Sequence, residues 1–307
     1  MNSECLQNAP TEKCFACENT LIFYARKEQY NHFICTLCGS ISVEEFDVNL
    51  GELYSDLSGY SGNIHELETG KFRISRKLSK FLHEICRVSG PGVTLLDIGC
   101  STGSFLQYVS EIGFLPEGID ASPSLASQAR KAGFEVLSAE FDEKSFPNRI
   151  FGVITAFDVI EHVRSPRYFL SESVKLMDEN SFLIVKTPNM TSLWAKLSKW
   201  GFERLYIPCS ILTPPHHVSN LSDIGLDILA KDCGLKLEKS FEVGCSFLYE
   251  LGQLHLLRDF RDQASFTTGL KMLLGYGYYS LCLVLLIILK RKPSTDFSMI
   301  KIYKKIG

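Results

Sequence analysis

Residues 95–106 read LLDIGCSTGSFL, an apolar strand-like run that turns sharply into an amphipathic segment. The run ends in Asp97 and Gly99, and Gly103 opens the segment that follows. Glycines at such a turn let backbone N–H groups approach a ligand closely, beside the positive end of a helix dipole. Glycine-rich turns that bind dinucleotides and tight turns without a ligand can look similar to this DxGxxxG pattern. The neighbouring segments are therefore needed to decide whether the turn binds a ligand and of which kind.

The next strand-like run ends in GID, which places Asp120 about twenty residues beyond the glycine turn. An acidic side chain there can accept hydrogen bonds from two ribose hydroxyls. Ser101 occupies the position where a GxGxxG motif has its second glycine. The two features together favour a nucleoside ligand that has no pyrophosphate.

Strand-like and amphipathic segments alternate along the middle of the chain. The apolar runs are VTLLDIG, LPEGID, FEVLSAE, GVITAFDVI and SFLIVKTPN, separated by helical periodicity over 104–112, 122–132 and 167–177. This alternation predicts a mainly parallel α/β sheet with helices on both faces. After SFLIVKTPN we expect an irregular stretch, a helix near 223–233, the strand-like LKLEKSFEV and a final strand, SMIKIYKKI.

We divide the chain into four parts on these patterns. Residues 1–48 form a small cysteine-rich module, and 49–92 a linker with a helix around 72–88. The α/β domain takes 93–245 and 296–307, and an apolar insertion before the last strand takes 246–295.

Composition restricts the class of protein. The hydrophobic fraction of 45% and charged fraction of 22% are typical of a folded globular chain, and a net charge of -3 lacks the basic excess of nucleic-acid-binding proteins. The first fourteen residues, MNSECLQNAPTEKC, contain no apolar stretch of the secretory kind, so a cytoplasmic, reducing location is expected. The cysteines are then expected to be metal ligands or core residues.

The ordered motifs resemble those of the class I S-adenosylmethionine-dependent methyltransferases over Val93 to about Leu237. LLDIGCSTGSFL is similar to their first motif, GIDAS to the acidic second, FGVITAFDVIEHV to the fourth-strand motif and SFLIVKTPN to the fifth strand. The resemblance implies a Rossmann-like class I methyltransferase sheet that binds S-adenosylmethionine.

The resemblance also implies a role for each motif residue. Gly99 and Gly103 would flank the amino-acid part of the cofactor, Asp120 would hold its ribose, and Asp97 would orient the turn and help to hold the methionine ammonium. Phe157 would face the methionine arm, and adenine would contact either Glu140 or the backbone of Phe141. The complete expected cofactor set is Asp97, Gly99, Cys100, Ser101, Gly103, Asp120, Ala121, Glu140, Phe141 and Phe157.

Methyl transfer from a sulfonium needs alignment first, and a base only when the acceptor must lose a proton. His216 and His217 in TPPHHVSN are the leading base candidates, because a histidine titrates near neutral pH. Asp158 is the next choice, and His162 is either a catalytic group or a hydrogen-bonded support. The competing interpretation of the paired histidines is a turn without a chemical role.

Two CxxC pairs, Cys14 with Cys17 and Cys35 with Cys38, are separated by seventeen residues. Four thiolates at this spacing predict a closed structural zinc site in a ribbon-like module. Cys5 stands outside the pattern.

Zinc ribbons often bind nucleic acid, so an RNA-modifying methyltransferase guided by the ribbon is an alternative. Against it, the strong cations between Cys14 and Asp47 are Arg26 and Lys27, outnumbered by Glu18, Glu28, Glu44, Glu45 and Asp47. A phosphate-binding surface needs clustered cations, which disfavours a nucleic-acid partner.

Residues 272–289, MLLGYGYYSLCLVLLIIL, form an eighteen-residue run without charge, with Lys271 before it and KRK after it. The length is near that of a membrane helix, but a single crossing would separate the last strand from its sheet. We therefore expect a peripheral or monotopic membrane contact, for which the tyrosines and the basic flank are suited. A buried helix is the alternative.

The sequence thus predicts a membrane-associated methyltransferase that acts on a small or lipid-linked acceptor, such as a quinone precursor, glycan intermediate or lipid. The motif order resembles ubiquinone-pathway O-methyltransferases, and an available histidine base favours oxygen as the acceptor atom. A non-catalytic cofactor-binding protein at the membrane is a further alternative.

Overall fold

The computed structural model describes residues 13–27, 29–44, 72, 74–205, 212, 216–243, 274, 277–278, 280–282, 284–285 and 297–306. Cys5, most of the expected linker and most of the apolar insertion lie outside these residues. The described part contains a four-stranded and a seven-stranded sheet.

The first strands build the cysteine-rich module. They are β1 (Leu21–Lys27), β2 (Tyr30–Cys35) and β3 (Ile41–Val43), paired antiparallel in chain order. The two CxxC pairs lie at the ends of these strands, one before β1 and the other at the turn from β2 to β3.

The strands of the large sheet are β4 (Thr94–Ile98), β5 (Leu115–Asp120), β6 (Glu135–Ser138), β7 (Val153–Phe157), β8 (Phe182–Pro188), β10 (Leu235–Val243) and β11 (Ser298–Lys305). Their order is β6-β5-β4-β7-β8-β11-β10. Strands β4 to β8 pair in parallel, and β11 enters antiparallel between β8 and β10. The parallel α/β sheet and its antiparallel last strand agree with the fold that the motifs imply.

The helices are α1 (Arg76–Ser89), α2 (Ser104–Glu111), α3 (Pro123–Lys131), α4 (Pro166–Lys175), α5 (Leu193–Leu205) and α6 (Asp223–Asp232), with a 3₁₀ turn at Glu143–Ser145. Helices α1 and α2 share a core with one face of the sheet, through residues such as Phe81 and Val109. Helices α4 and α6 share the core on the opposite face, through Leu170 and Leu226. Burial of both faces explains the continuous apolar runs of the central strands.

The expectation of an irregular stretch after β8 is wrong at its start, because α5 forms there. The Ser192 hydroxyl accepts a hydrogen bond from the Ala195 amide at 3.1 Å, which caps the helix. Trp194 and Ala195 are buried, whereas Lys196 and Trp200 are exposed. The mixture of lysine, serine and tryptophan obscures the helical period in the sequence, and tertiary packing decides the structure.

A two-residue strand from later in the chain completes the small sheet. Strand β9 (Ser219–Asn220) pairs antiparallel with β3, so a segment far along the chain supplies the fourth strand of the cysteine-rich module. The sequence patterns did not indicate this pairing. The module therefore shares backbone hydrogen bonds with the segment that leads into α6.

Part of the apolar insertion is described. Residues 274, 277–278, 280–282 and 284–285 are helical, and the Tyr278 hydroxyl donates to the Leu197 carbonyl at 2.7 Å. The Tyr278 ring also stacks on Trp200 of α5, with ring centroids 6.0 Å apart. Among the described residues, no helix has both the length and the apolar character that crossing a membrane requires.

Candidate functional site

The turn after β4 has a backbone that only glycine fits at two positions. Gly99 has φ +77°, and a Cβ there would lie 2.5 Å from Cγ2 of Val159. Gly103 has φ +85°, and a Cβ there would lie 3.1 Å from that of Ala129. Left-handed backbone and close neighbours both exclude larger residues. The contact with Val159 also places the glycine turn against the loop after β7.

Asp120, at the end of β5, is joined to this turn. One carboxylate oxygen accepts the Ser101 amide and the other accepts the Ser122 amide, each at 2.8 Å. Burial raises the pKa of Asp120, and these two backbone hydrogen bonds act in the opposite direction. Ser101 itself has φ +50°, a strained backbone that is often found at binding sites. The carboxylate and the glycine turn therefore face one another.

The other expected cofactor residues surround this corner to different degrees. Asp97 is buried and accepts the Thr155 hydroxyl at 2.6 Å, so it ties β4 to β7. Phe157 lies against Phe105, with ring centroids 4.9 Å apart. Cys100 is buried, Ala121 and Glu140 are exposed, and Phe141 is partly buried. Their contacts with a bound cofactor remain predictions.

Asp158 begins the loop after β7 with φ +55°, which is uncommon for a residue other than glycine. Its carboxylate forms an ion pair with Lys186 of β8, and its amide donates to the Lys186 carbonyl at 2.8 Å. The lysine fixes the carboxylate at the end of the sheet, beside the glycine turn.

A carboxyl and two imidazoles lie close together at this loop, which carries Glu161 and His162 and is contacted by His217. Glu161, His162 and His217 each place one donor atom within 4.8 Å of the others. The His162 and His217 rings meet edge to face, with centroids 4.9 Å apart. Nδ1 of His162 lies 2.8 Å from the His216 carbonyl, which orients this ring and leaves the lone pair on Nε2. This acid–base cluster could hold and transfer a proton, and its spacing also suits a metal ion.

Burial shifts the pKa of each group in the direction that favours its neutral form. It raises the pKa of Glu161 to about 8, with a further contribution from the negative charge of Asp158. Burial lowers the pKa of His162, and it lowers that of His217 well below the ordinary value. The raised pKa makes the Glu161 carboxylate the strongest base of the three, while the lowered pKa values keep both imidazoles neutral.

Three of the four expected catalytic residues, Asp158, His162 and His217, therefore lie in or beside one loop. His216 contacts His162 through its backbone carbonyl. Sequence reasoning missed two residues of the site, Glu161 and Lys186. Glu161 accepts a hydrogen bond from the Thr187 hydroxyl at 2.9 Å, and Lys186 forms the ion pair with Asp158. The available signals were the acidic residue next to His162 in DVIEHV and a lysine within the apolar SFLIVKTPN.

The four cysteines converge as the CxxC spacing predicts. Their sulfur atoms all lie within 4.8 Å of one another, with Cys14 3.7 Å from Cys38 and Cys17 3.4 Å from Cys35. Tetrahedral zinc with Zn–S bonds of 2.3 Å would separate its sulfurs by about 3.8 Å. The Cys38 amide also points to the Cys35 sulfur at 3.5 Å, as in a metal-binding knuckle. The residues therefore fit a structural zinc ion.

Comparisons with known proteins identify the family of the chain. A family model described as a methyltransferase domain matches residues 70–231, more than half of the 307-residue chain. The chain therefore belongs to the methyltransferase family of that model. Fold and family together define its class as the S-adenosylmethionine-dependent methyltransferases.

Among curated relatives, the ubiquinone biosynthesis O-methyltransferase of Caulobacter vibrioides is 34% identical over 122 residues, covering 36% of this chain and 47% of that protein. The mitochondrial enzyme of the same name from Schizosaccharomyces pombe is 27% identical over 179 residues, covering 54% and 60%. The chain thus spans about half the length of the curated relatives it matches.

Solved structures share the fold at low identity. Magnesium protoporphyrin IX methyltransferase of Synechocystis PCC 6803 with bound S-adenosylhomocysteine has a TM-score of 0.50 at 13% identity, covering 83% of this chain and 98% of that one. The [4+2]-cyclase SpnF has a TM-score of 0.51 at 15% identity, covering 84% and 96%. A cyclase on the same fold shows that the acceptor chemistry must be argued from the site.

Proposed function

We propose that the protein transfers the methyl group of S-adenosylmethionine to a hydroxyl of a small or lipid-linked aromatic acceptor of the quinone-precursor kind. The observation that carries the proposal is the cluster of the buried Glu161 with the partly buried His162 and His217 beside the glycine turn. The names of the curated relatives support oxygen as the acceptor atom and a quinone precursor as the acceptor.

Each part of the site has a place in this reaction. The sulfonium supplies an electrophilic methyl group, which the turn at Gly99 to Gly103 and the carboxylate of Asp120 would align. The acceptor oxygen bonds to the methyl carbon as the carbon–sulfur bond breaks, and S-adenosylhomocysteine leaves. The acceptor proton passes to the cluster of Glu161 and His217. Alignment supplies most of the rate enhancement, and removal of the proton makes the phenol oxygen a better nucleophile.

The test uses purified protein, methyl-labelled S-adenosylmethionine and a decyl-substituted catechol as the acceptor. We expect label in the catechol ether, and Glu161→Gln should lower kcat by about 100-fold or more because the cluster loses its proton acceptor. Glutamine keeps the side-chain shape and an oxygen that can accept the Thr187 hydroxyl. The matched control is His83→Ala, a substitution of an exposed histidine on α1.

Three results would contradict the proposal or its mechanism. Label that enters host RNA but no catechol, quinone-precursor or lipid fraction would point to an RNA-modifying enzyme. Cofactor binding without label in any fraction would point to a non-catalytic protein. Equal kcat for wild type and Glu161→Gln would remove the cluster from the mechanism.

The membrane contact is a second part of the proposal, and it rests on exposed apolar side chains of α5 and of the described helical residues 274, 281 and 285. Leu274, Leu281 and Leu285 are 45% to 60% exposed, and Trp200 beside them is 50% exposed. Grouped exposed apolar side chains are costly in water. The basic residues at 290–292 and the aromatic pair of Trp200 and Tyr278 suit an anionic lipid surface.

Vesicle flotation tests this contact directly. Wild type should float with vesicles that contain anionic lipid and less with neutral vesicles, because both the apolar surface and the basic flank contribute. The double variant Leu281→Asp and Leu285→Asp should reduce the floating fraction at least fivefold, by roughly 1 kcal/mol or more. The control Val88→Asp replaces an exposed apolar residue on α1. Equal flotation of all three proteins would exclude this surface.

A further inference from the structure

The zinc-binding module contacts the acceptor side of the site through a buried serine pair. Ser40 follows the second CxxC pair, and its carbonyl accepts the Cys35 amide at 2.8 Å. Its hydroxyl accepts the Ser222 amide at 3.1 Å and lies 3.1 Å from the Ser222 hydroxyl. Both serines are fully buried. A change at the cysteine knuckle therefore reaches Ser222 through one residue.

The first turn of α6 rests directly on the knuckle. Ser222 is its N-cap and accepts the Gly225 amide at 2.9 Å. A Cβ at Gly225 would lie 3.3 Å from the Cys38 sulfur and would collide with the Ser40 hydroxyl. The sequence therefore has glycine where the helix meets the cysteine knuckle.

The same segment holds the acid–base cluster. The Val218 and Ser219 amides both donate to the backbone carbonyl of Glu161, at 2.9 Å and 3.0 Å. The Ser219 hydroxyl donates to the Val163 carbonyl at 3.0 Å. Residues 216–220 thus lie between two supports, the loop after β7 on one side and strand β3 of the module on the other.

We propose that Ser40 is a positioning residue, and that the zinc-binding module sets the placement of His217 against Glu161 through β9. The inference rests on the proposed function, because it assigns the cluster to the acceptor reaction. The four cysteines would hold zinc, which would fix the Cys35–Cys38 knuckle; the knuckle orients Ser40, and Ser40 with β3 fixes the segment that carries His217. We expect cofactor binding at Asp120 to be unaffected, because its carboxylate accepts the Ser101 and Ser122 amides and neither contact belongs to this path.

The contacts favour positioning over simple attachment. A module that only covered the surface could pack through apolar side chains alone, such as Phe33, which lies in the hydrophobic core. Here a buried hydroxyl satisfies a backbone amide two residues after β9, and β9 itself begins two residues after His217. Loss of that hydroxyl leaves a buried amide without its acceptor, and the segment must move to satisfy it.

The experiment compares Ser40→Ala with Ser42→Ala in the full-length zinc-loaded protein. Ser42 lies on β3 opposite Ser219, and among the described residues its hydroxyl makes no hydrogen bond to Ser222. Readouts are zinc content, S-adenosylmethionine affinity by calorimetry, kcat and KM for the decyl-substituted catechol, and the ring signals of selectively labelled histidines by NMR.

We expect Ser40→Ala to keep its zinc and its cofactor affinity within twofold, while kcat/KM for the catechol falls about tenfold. The His162 and His217 ring signals should shift, and the His83 signal should not. Ser42→Ala should resemble wild type in every readout. Chelation of zinc from wild type should shift the same two histidine signals.

The outcomes separate this inference from the proposed function. An active wild type whose Ser40→Ala variant has unchanged kinetics and unchanged histidine signals would overturn the positioning role. An inactive wild type whose histidine signals still shift in Ser40→Ala would overturn the acceptor assignment and leave the mechanical connection intact. Equal changes in Ser40→Ala and Ser42→Ala would reduce the effect to general loosening and would also overturn it.

Discussion

Replacement of Asp120 by alanine should weaken S-adenosylmethionine binding by about 100-fold. We expect the carboxylate to accept ribose hydroxyls, and charge-assisted hydrogen bonds contribute about 1.5 to 3 kcal/mol each. The same change releases the Ser101 and Ser122 amides, which now bond to the two carboxylate oxygens. The glycine turn would therefore lose its anchor as well as the ribose contact. Titration calorimetry with the cofactor measures the loss.

Two further variants separate charge from anchoring. Asp120→Asn keeps the side-chain shape and one carbonyl oxygen, so it should retain part of the turn and bind more tightly than the alanine variant. Glu135→Ala removes an exposed carboxylate from the neighbouring strand β6 and should bind as wild type does. A folded Asp120→Ala protein with wild-type affinity would place the cofactor elsewhere.

Local patterns explain why the cofactor corner could be predicted from the sequence. The glycine turn and the acidic end of β5 are each determined by a few neighbouring residues, and the parallel arrangement of consecutive strands brings them together. Glu161 was missed because its role depends on His217, which lies 56 positions later and reaches it through β9. No local period encodes such a contact.

The cysteine-rich module also shows which contacts a sequence pattern can predict and which it cannot. The spacing of the cysteines predicts their convergence, since two CxxC pairs at this separation are typical of a four-thiolate metal site. The pairing of β3 with β9 depends on the placement of α6 against the knuckle, through Gly225 and Ser222. A two-residue strand has too little pattern of its own, so only tertiary contact defines it.

Loss of one zinc ligand should have the other large effect. Purified wild type should contain one zinc per chain, and Cys38→Ser should lose most of it because the closed four-thiolate site needs every ligand. Structural zinc contributes about 10 kcal/mol or more to the folding of small zinc modules, so the module should unfold in the variant. Elemental analysis measures the metal, and limited proteolysis before β4 detects the unfolded module.

The consequences for function should be unequal. Cofactor affinity should remain near that of wild type, because the glycine turn and Asp120 belong to the α/β sheet, while methyl transfer to the catechol should fall by at least 100-fold as β9 loses its partner strand. Cys86→Ser, a substitution of a partly buried cysteine on α1, is the matched control and should keep both zinc and activity. A zinc-free wild type, or a Cys38→Ser protein that retains full activity, would contradict the claim that a structural zinc ion supports the acceptor site. Unequal loss is the expected result because the predicted cofactor contacts all lie in the α/β domain, whereas the acceptor cluster also depends on His217, next to the strand that pairs with the cysteine-rich module.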